Sequence, residues 1–288
     1  MPSLTMIKPL GWAVFMSKML KLPSKADFKD PQDKPQYIKG TQNDWGFTPT
    51  FMPFFTPQHP GLKHHQDSCD TIGKEFKDLH DKCCDAISFA VDMWRLQAKF
   101  KDLKVMAVCA IGSPGCLDGP KLESNIKNAP SVAALSGNYA KYRDAVAKGV
   151  SKCFADWQGQ VMVPGLPWYP AFAAFPGPQG PPMPNVPMPL ITCVSSKMTS
   201  IIMPNDMKAA MIDALPQSMK KEDKDKQHEA LFESIATVAS LAFTIWLAAQ
   251  QVMLVMGKGP IPTFAPPYVP VGPVLGGGNI AAPGHLIA

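Results

Sequence analysis

Forty consecutive residues, from Trp157 to Ser196, carry no formal charge, and the 55 residues from Ser234 to Ala288 carry only Lys258. An even distribution would place about 17 of the chain's 51 charges in these two stretches. Uncharged surface on that scale is not left open to water, so both stretches must be covered, either by the rest of this chain or by another one. Disorder does not explain them. The chain has 31 prolines in 288 residues, but 46% of its residues are hydrophobic, well above what a disordered chain carries.

The first uncharged stretch holds ten prolines between Pro164 and Pro189, interleaved with Trp168, Tyr169, Phe172 and Phe175. Each proline removes a backbone donor and fixes φ, so this stretch is predicted to run extended, outside helices and sheet interiors. The end of the second stretch, residues 257–288, has seven glycines and seven prolines with Phe264, Tyr268, Val271 and Val274 between them. It reads as a docking tail that needs the groove of another element or another subunit. A shared pattern, G-x-x-P-T-F-x-P-x-x-x-P, spans Gly46 to Pro57 and again Gly259 to Pro270, with a looser relative from Gly165 to Pro176. Polyproline-like ribbons with projecting aromatics are strips suited to docking. The expected interface residues are therefore Phe51, Phe54, Trp168, Tyr169, Phe264, Tyr268 and Val271.

Elsewhere the periodicity is helical. Between Asp70 and Lys104, the residues Ile72, Phe76, Leu79, Cys83, Ile87, Val91, Trp94 and Ala98 recur every three or four positions, which predicts an amphipathic helix. A second pattern runs from Leu135 to Trp157 and is expected to pair with the first as a hairpin. A short helix is expected from Asn205, as N-cap, to Leu215. The last helix, about residues 222–256, contains 23 uncharged residues from Ser234 to Met256, long enough to cross a bilayer. Thr237, Ser240, Thr244 and Gln251 suggest instead a polar seam in a packed bundle. On that reading Thr244→Lys should be tolerated better than Leu241→Lys or Ile245→Lys.

A net charge of +5 with no basic block gives no reason to expect nucleic-acid specificity. The N-terminal segment lacks the uninterrupted apolar core of a secretion signal, so synthesis in the cytoplasm is expected. Seven cysteines, an odd number widely spread, do not form a secreted disulfide framework. His65 with Cys69, and His80 with Cys84, stand four residues apart and would share a helix face, but the repeated C-x-x-C of zinc modules is missing. A disulfide between subunits is the better expectation for these thiols than a metal. Ser124 to Lys127 fits S-x-x-K without the K-T-G that should follow, and G-x-S-x-G, H-E-x-x-H and a phosphate loop do not occur. No catalytic, metal or cofactor residue is expected, and the chain is not expected to be an enzyme.

The fold expected is mainly α, with several long helices, extended Pro/Gly-rich arms and little regular sheet. Its segments are an N-terminal arm with a short amphipathic helix (1–60), a helical hairpin domain (61–157), a Pro-rich extended segment (158–204), C-terminal helices (205–256) and the docking tail (257–288). In general character the chain resembles virion structural proteins of tailed bacteriophages and contractile injection machines, of the baseplate, tail-tip or hub type. The resemblance rests on the helix followed by Gly259 to Gly278 and on the uncharged arms. It includes no diagnostic motif and carries over no site residue. It implies a structural subunit of a virion, made in the host cytoplasm, that forms homo-oligomers and locks neighbouring subunits through its arms. The alternative reading is a membrane-active protein that inserts residues 234–256.

Overall fold

Three of the expected helical patterns meet in one aromatic core. A computed structural model of the protein describes residues 3–17, 60–168, 175–223, 226–264 and 272–286, without the side chains of Met16 and of residues 60–70. The first long pattern lies in α2 (Pro60–Gln97), which follows α1 (Lys8–Ser17); the second lies in α4 (Gly137–Gly159), which follows the short α3 (Leu122–Lys127). Then come α5 (Thr199–Ile202), α6 (Pro204–Ala214), α7 (Gln217–Glu222) and α8 (Gln227–Ala249). Trp94 of α2, Phe154 and Trp157 of α4, and Phe243 and Trp246 of α8 form a linked ring cluster with centroid separations from 4.9 to 6.5 Å. These are favourable aromatic distances, and the rings anchor the hydrophobic core.

Helix ends follow local chemistry. Pro204 opens α6, where its missing N–H costs nothing, so the helix starts one residue before the expected cap Asn205. Lys226, at φ 56°, turns the chain into α8, and the orphan N–H of His228 is met from outside the helix by Asp223 Oδ2 at 2.7 Å. The His228 ring reaches the same oxygen at 2.6 Å. Burial raises the cost of ionising Asp223, but these contacts outweigh it and hold the carboxyl below its usual range. Gly149 lets α4 and α6 touch, because a Cβ there would fall 2.7 Å from the backbone nitrogen of Met211.

The uncharged length of α8 is explained by position. Two thirds of its most apolar stretch is buried within the chain. The expected polar seam does not form as one. Ser240 is buried, while the Thr237 and Thr244 hydroxyls donate to carbonyls one turn back, those of Glu233 and Ser240, at 2.7 and 2.9 Å. Leu241 and Ile245, expected inside, lie on the exposed face, with Ile245 53% exposed.

The expectation of little regular sheet is overturned, and the fold is mixed α/β. Ten strands are described, namely β1 (Lys99–Phe100), β2 (Lys104–Met106), β3 (Cys109–Gly112), β4 (Leu117–Asp118), β5 (Val163–Pro167), β6 (Gln179–Pro184), β7 (Met188–Pro189), β8 (Gln251–Val252), β9 (Met256–Pro260) and β10 (Leu275–Asn279). Two two-stranded ladders, β1 with β4 and β7 with β8, flank a six-stranded antiparallel sheet ordered β5-β3-β2-β10-β9-β6. Its outer strands meet just past their ends, where Trp168 bridges Asn185 and the Val186 N–H donates to the Pro167 carbonyl at 2.8 Å. The sheet is thereby drawn into a small, nearly closed barrel.

Proline and glycine suit this barrel for two physical reasons. Prolines 164, 167, 181, 182 and 184 sit in β5 and β6, the outer strands, where a missing donor is tolerated. A six-stranded barrel also has little interior, and glycines make room in it. A Cβ on Gly257 would lie 2.7 Å from the Trp168 ring, and one on Gly259 would lie 2.4 Å from the Gly277 Cα. The residues read as a docking tail thus supply a central strand, β10, to their own chain.

Buried polar groups tie the barrel and the C-terminal residues to the segments that follow α2 and α8. Asn185 donates to the Val252 and Val186 carbonyls, at 2.9 and 2.7 Å, and accepts from the Val255 N–H at 2.9 Å. At the C-terminal end His285 stacks on Phe100, and its Nδ1 accepts the Phe100 N–H at 2.8 Å. Met253 N–H donates to the His285 carbonyl at 3.0 Å, and Gln250 Nε2 donates to the Leu286 carbonyl at 2.9 Å.

Candidate interaction surface

Strand alternation divides the barrel residues cleanly. Val105, Ala110, Gly112, Gly257 and Gly259 point inward, while Lys104, Met106, Ile111 and Lys258 point to solvent and Cys109 is half-buried beside them. Registers order the outward residues into two rows. One row runs Ile111, Lys104, Gly278, Lys258; the other runs Cys109, Met106, Leu275. With Val108 at the β2–β3 turn, the second row makes an exposed apolar strip, Met106 and Leu275 being 42% and 41% exposed. At about 5 Å per strand, the Lys104 and Lys258 backbones stand about 10 Å apart across Gly278.

Nothing among the described residues requires Gly278 to be bare. Among the described residues a Cβ there would meet only the Leu103 carbonyl oxygen, at an ordinary 3.8 Å, and its φ does not require glycine. Gly277 beside it is obligatory, since a Cβ would fall 2.3 Å from the Lys258 carbonyl oxygen. A dispensable strand glycine between two lysines marks a place where another group can approach the backbone closely. Gly278→Leu is expected to leave the unfolding midpoint essentially unchanged, whereas Gly277→Ala should destabilise by about 1–3 kcal/mol through overpacking. Thermal unfolding of the two variants checks this, and an equal loss for both would refute the distinction.

Two of the residues expected at an interface, Trp168 and Phe264, are described. Trp168 is 3% exposed, its indole N–H donating to the Met183 carbonyl at 2.9 Å, so its ring is committed to its own barrel. Phe264 is half-buried and packs against the chain's core. Phe51, Phe54, Tyr169, Tyr268 and Val271 lie outside the described residues. Sequence reading favoured aromatics and missed Lys104, Met106, Ile111 and Gly278. The available signal was the short alternation Lys104-Val105-Met106 and Cys109-Ala110-Ile111, too brief to stand out.

The thiols are mostly inaccessible. Cys83, Cys84, Cys116, Cys153 and Cys193 are buried, and burial pushes Cys83 and Cys193 up to about 12 and Cys116 and Cys153 up to about 11. Such thiols stay protonated and do not meet a second subunit. Among the described cysteines Cys109 alone is half-exposed, on the apolar strip. The side chains of His65 and Cys69 fall outside the description.

His80 and Cys84 do share a face. Cys84 Sγ lies 3.8 Å from His80 Nε2, and His80 Nδ1 lies 2.9 Å from Asp81 Oδ1, an order that resembles an activated thiol. The electrostatics oppose activation. Burial, then the neighbouring Cys83, Asp81 and Asp85, push the Cys84 thiol well above its usual range, and burial lowers His80 despite Asp81. Gly11 of α1 seals the site, since a Cβ there would meet His80 Nε2 at 2.3 Å. A protonated thiol without access to substrate is a packing element. Among the described residues no group of three or more His, Cys, Asp or Glu side chains is disposed to hold a metal.

No family model, no curated protein and no solved structure matches this chain.

Proposed function

We propose that the chain is a structural subunit of a multi-protein assembly, of the kind that builds a phage tail, baseplate or contractile injection particle, and that it docks through the outer face of its barrel. The observation that carries this reading is the pair of rows on that face, the Cys109, Met106, Leu275 strip beside the Lys104, Gly278, Lys258 notch. The strip supplies apolar area, and the notch accepts a carboxylate from the partner between two ammonium groups. Strand addition at an edge is disfavoured, because the outer strands carry prolines and are joined at Trp168 and Asn185, so a partner meets the face. Burial of α8 within the chain supports a core helix over a bilayer span.

The test is assembly. The purified chain, alone or co-expressed with the products of neighbouring genes, is expected to form a larger particle in light scattering. Met106→Glu with Leu275→Glu should abolish that particle while leaving the helical circular dichroism signal unchanged. A wild-type chain that stays monomeric at micromolar concentration under both conditions would refute the reading, as would a double variant that assembles normally.

A further inference from the structure

A second site, independent of the barrel, lies where α3 and α4 meet. Lys148, Ser151, Lys152 and Ala155 share one face of α4, and Lys121, just before α3, with Glu123 of α3 faces them across an open cleft of about 280 Å³ that Asp156 completes. Glu123 is occupied by Lys127 at 2.6 Å. Three lysines without a described carboxylate partner therefore face one uncommitted carboxylate, Asp156, which leaves the cleft with an excess of two positive charges.

Solvated lysines on a helix are ordinary, but the floor of this cleft is not. Ser151 is 6% exposed, and what remains exposed opens into the cleft. Its hydroxyl makes no hydrogen bond among the described residues, although other helix hydroxyls here, such as Thr237 and Thr244, bond the carbonyl one turn back. A hydroxyl on a largely buried residue, free to donate into a cleft that three lysines also line, is a donor available to an anion.

We propose that this cleft binds a small phosphate monoester. The excess of two positive charges matches a dianionic phosphoryl group, with Ser151 donating to one oxygen and Lys121, Lys148 and Lys152 pairing with the others. The volume exceeds that of a bare phosphate and lies just below that of typical small-molecule sites, so a few further carbon and oxygen atoms fit. Asp156, which also lines the cleft, is an acceptor for a ligand hydroxyl. A polyhydroxylated phosphate ester therefore fits better than inorganic phosphate, and an uncharged polyol lacks the group that the lysines recognise.

The test titrates the full chain with inorganic phosphate, glycerol 3-phosphate and glycerol at constant ionic strength, because exposed charges are screened by salt. Amide chemical shifts are the readout. Expected are saturable shifts confined to residues 121–123 and 148–156, with glycerol 3-phosphate binding more tightly than inorganic phosphate and glycerol not binding. Lys148→Gln with Lys152→Gln should weaken binding by about tenfold or more, and Ser151→Ala by about threefold. The lysine substitutions are at the surface and keep the fold, so they report on the site even if Ser151→Ala disturbs packing. Shifts that do not saturate, that spread over every lysine, or that survive the double lysine substitution overturn the proposal.

Discussion

Trp246→Ala is expected to destabilise the protein by about 3–5 kcal/mol, while Ile245→Ala, one residue away, should stay within about 0.5 kcal/mol. The contrast follows from the face of α8 that each residue occupies. Trp246 is 1% exposed and touches Trp94, Trp157 and Phe243, so truncation opens a cavity where α2, α4 and α8 converge. Among the described residues its indole N–H meets no acceptor, so packing holds the ring, and Trp246→Phe should recover a good part of the loss. The same geometry revises the lysine substitutions considered from sequence. Leu241 and Ile245 are exposed, so lysine at either is expected to be tolerated as well as at Thr244, whereas Phe243→Lys would bury an unpaired charge. Chemical denaturation of the seven substitutions measures this, and severe loss at Ile245→Lys would show that this face is covered.

Acid should loosen the C-terminal anchor. Burial holds His285 at about 4, well below the 6.5 of an exposed histidine, and the neutral ring is the form whose Nδ1 accepts the Phe100 N–H. With the folded value depressed, the contribution is fully present above pH 6.5. Between pH 6.5 and 4 the unfolded chain takes up a proton that the folded one refuses, and stability falls by an amount on the order of 3 kcal/mol. Burial also lowers His80, which adds in the same direction. Unfolding free energies measured at pH 7 and pH 4.5 are expected to differ clearly for the wild type and less for His285→Phe, which keeps the stacked ring but has nothing to protonate. An equal difference in both proteins would show that His285 is not the group responsible.

The legibility of the sequence divides along the range of the forces involved. The helices could be read because their signal is local. In Leu79, Cys83, Ile87, Val91 and Trp94 the apolar face recurs within a single turn, and no distant residue is needed to recognise it. Their common meeting point was not readable, since the contact of Trp94 with Trp246 joins residues far apart in the chain. The need to cover the uncharged stretches was also a property of sequence, because missing charge is missing solvation wherever the residues lie. What covers them was not.

Only the tertiary structure decided that much of that cover is the chain itself. β10 lies between β2 and β9, pairing Gly278 with both Lys104 and Lys258, and no local pattern reports a pairing of that separation. The strands are two to six residues long and rich in Pro and Gly, so their alternation is too short and their propensities too low to register as sheet. Proline was expected outside sheet interiors, and at outer strands its missing donor is harmless; Gly257, Gly259 and Gly277 are where backbone and ring must pass within contact distance. The same long-range pairing selected the outward residues. Composition marked Trp168 for a partner, and barrel closure drew it inside, leaving Lys104, Met106 and Gly278 on the face that water and other molecules meet.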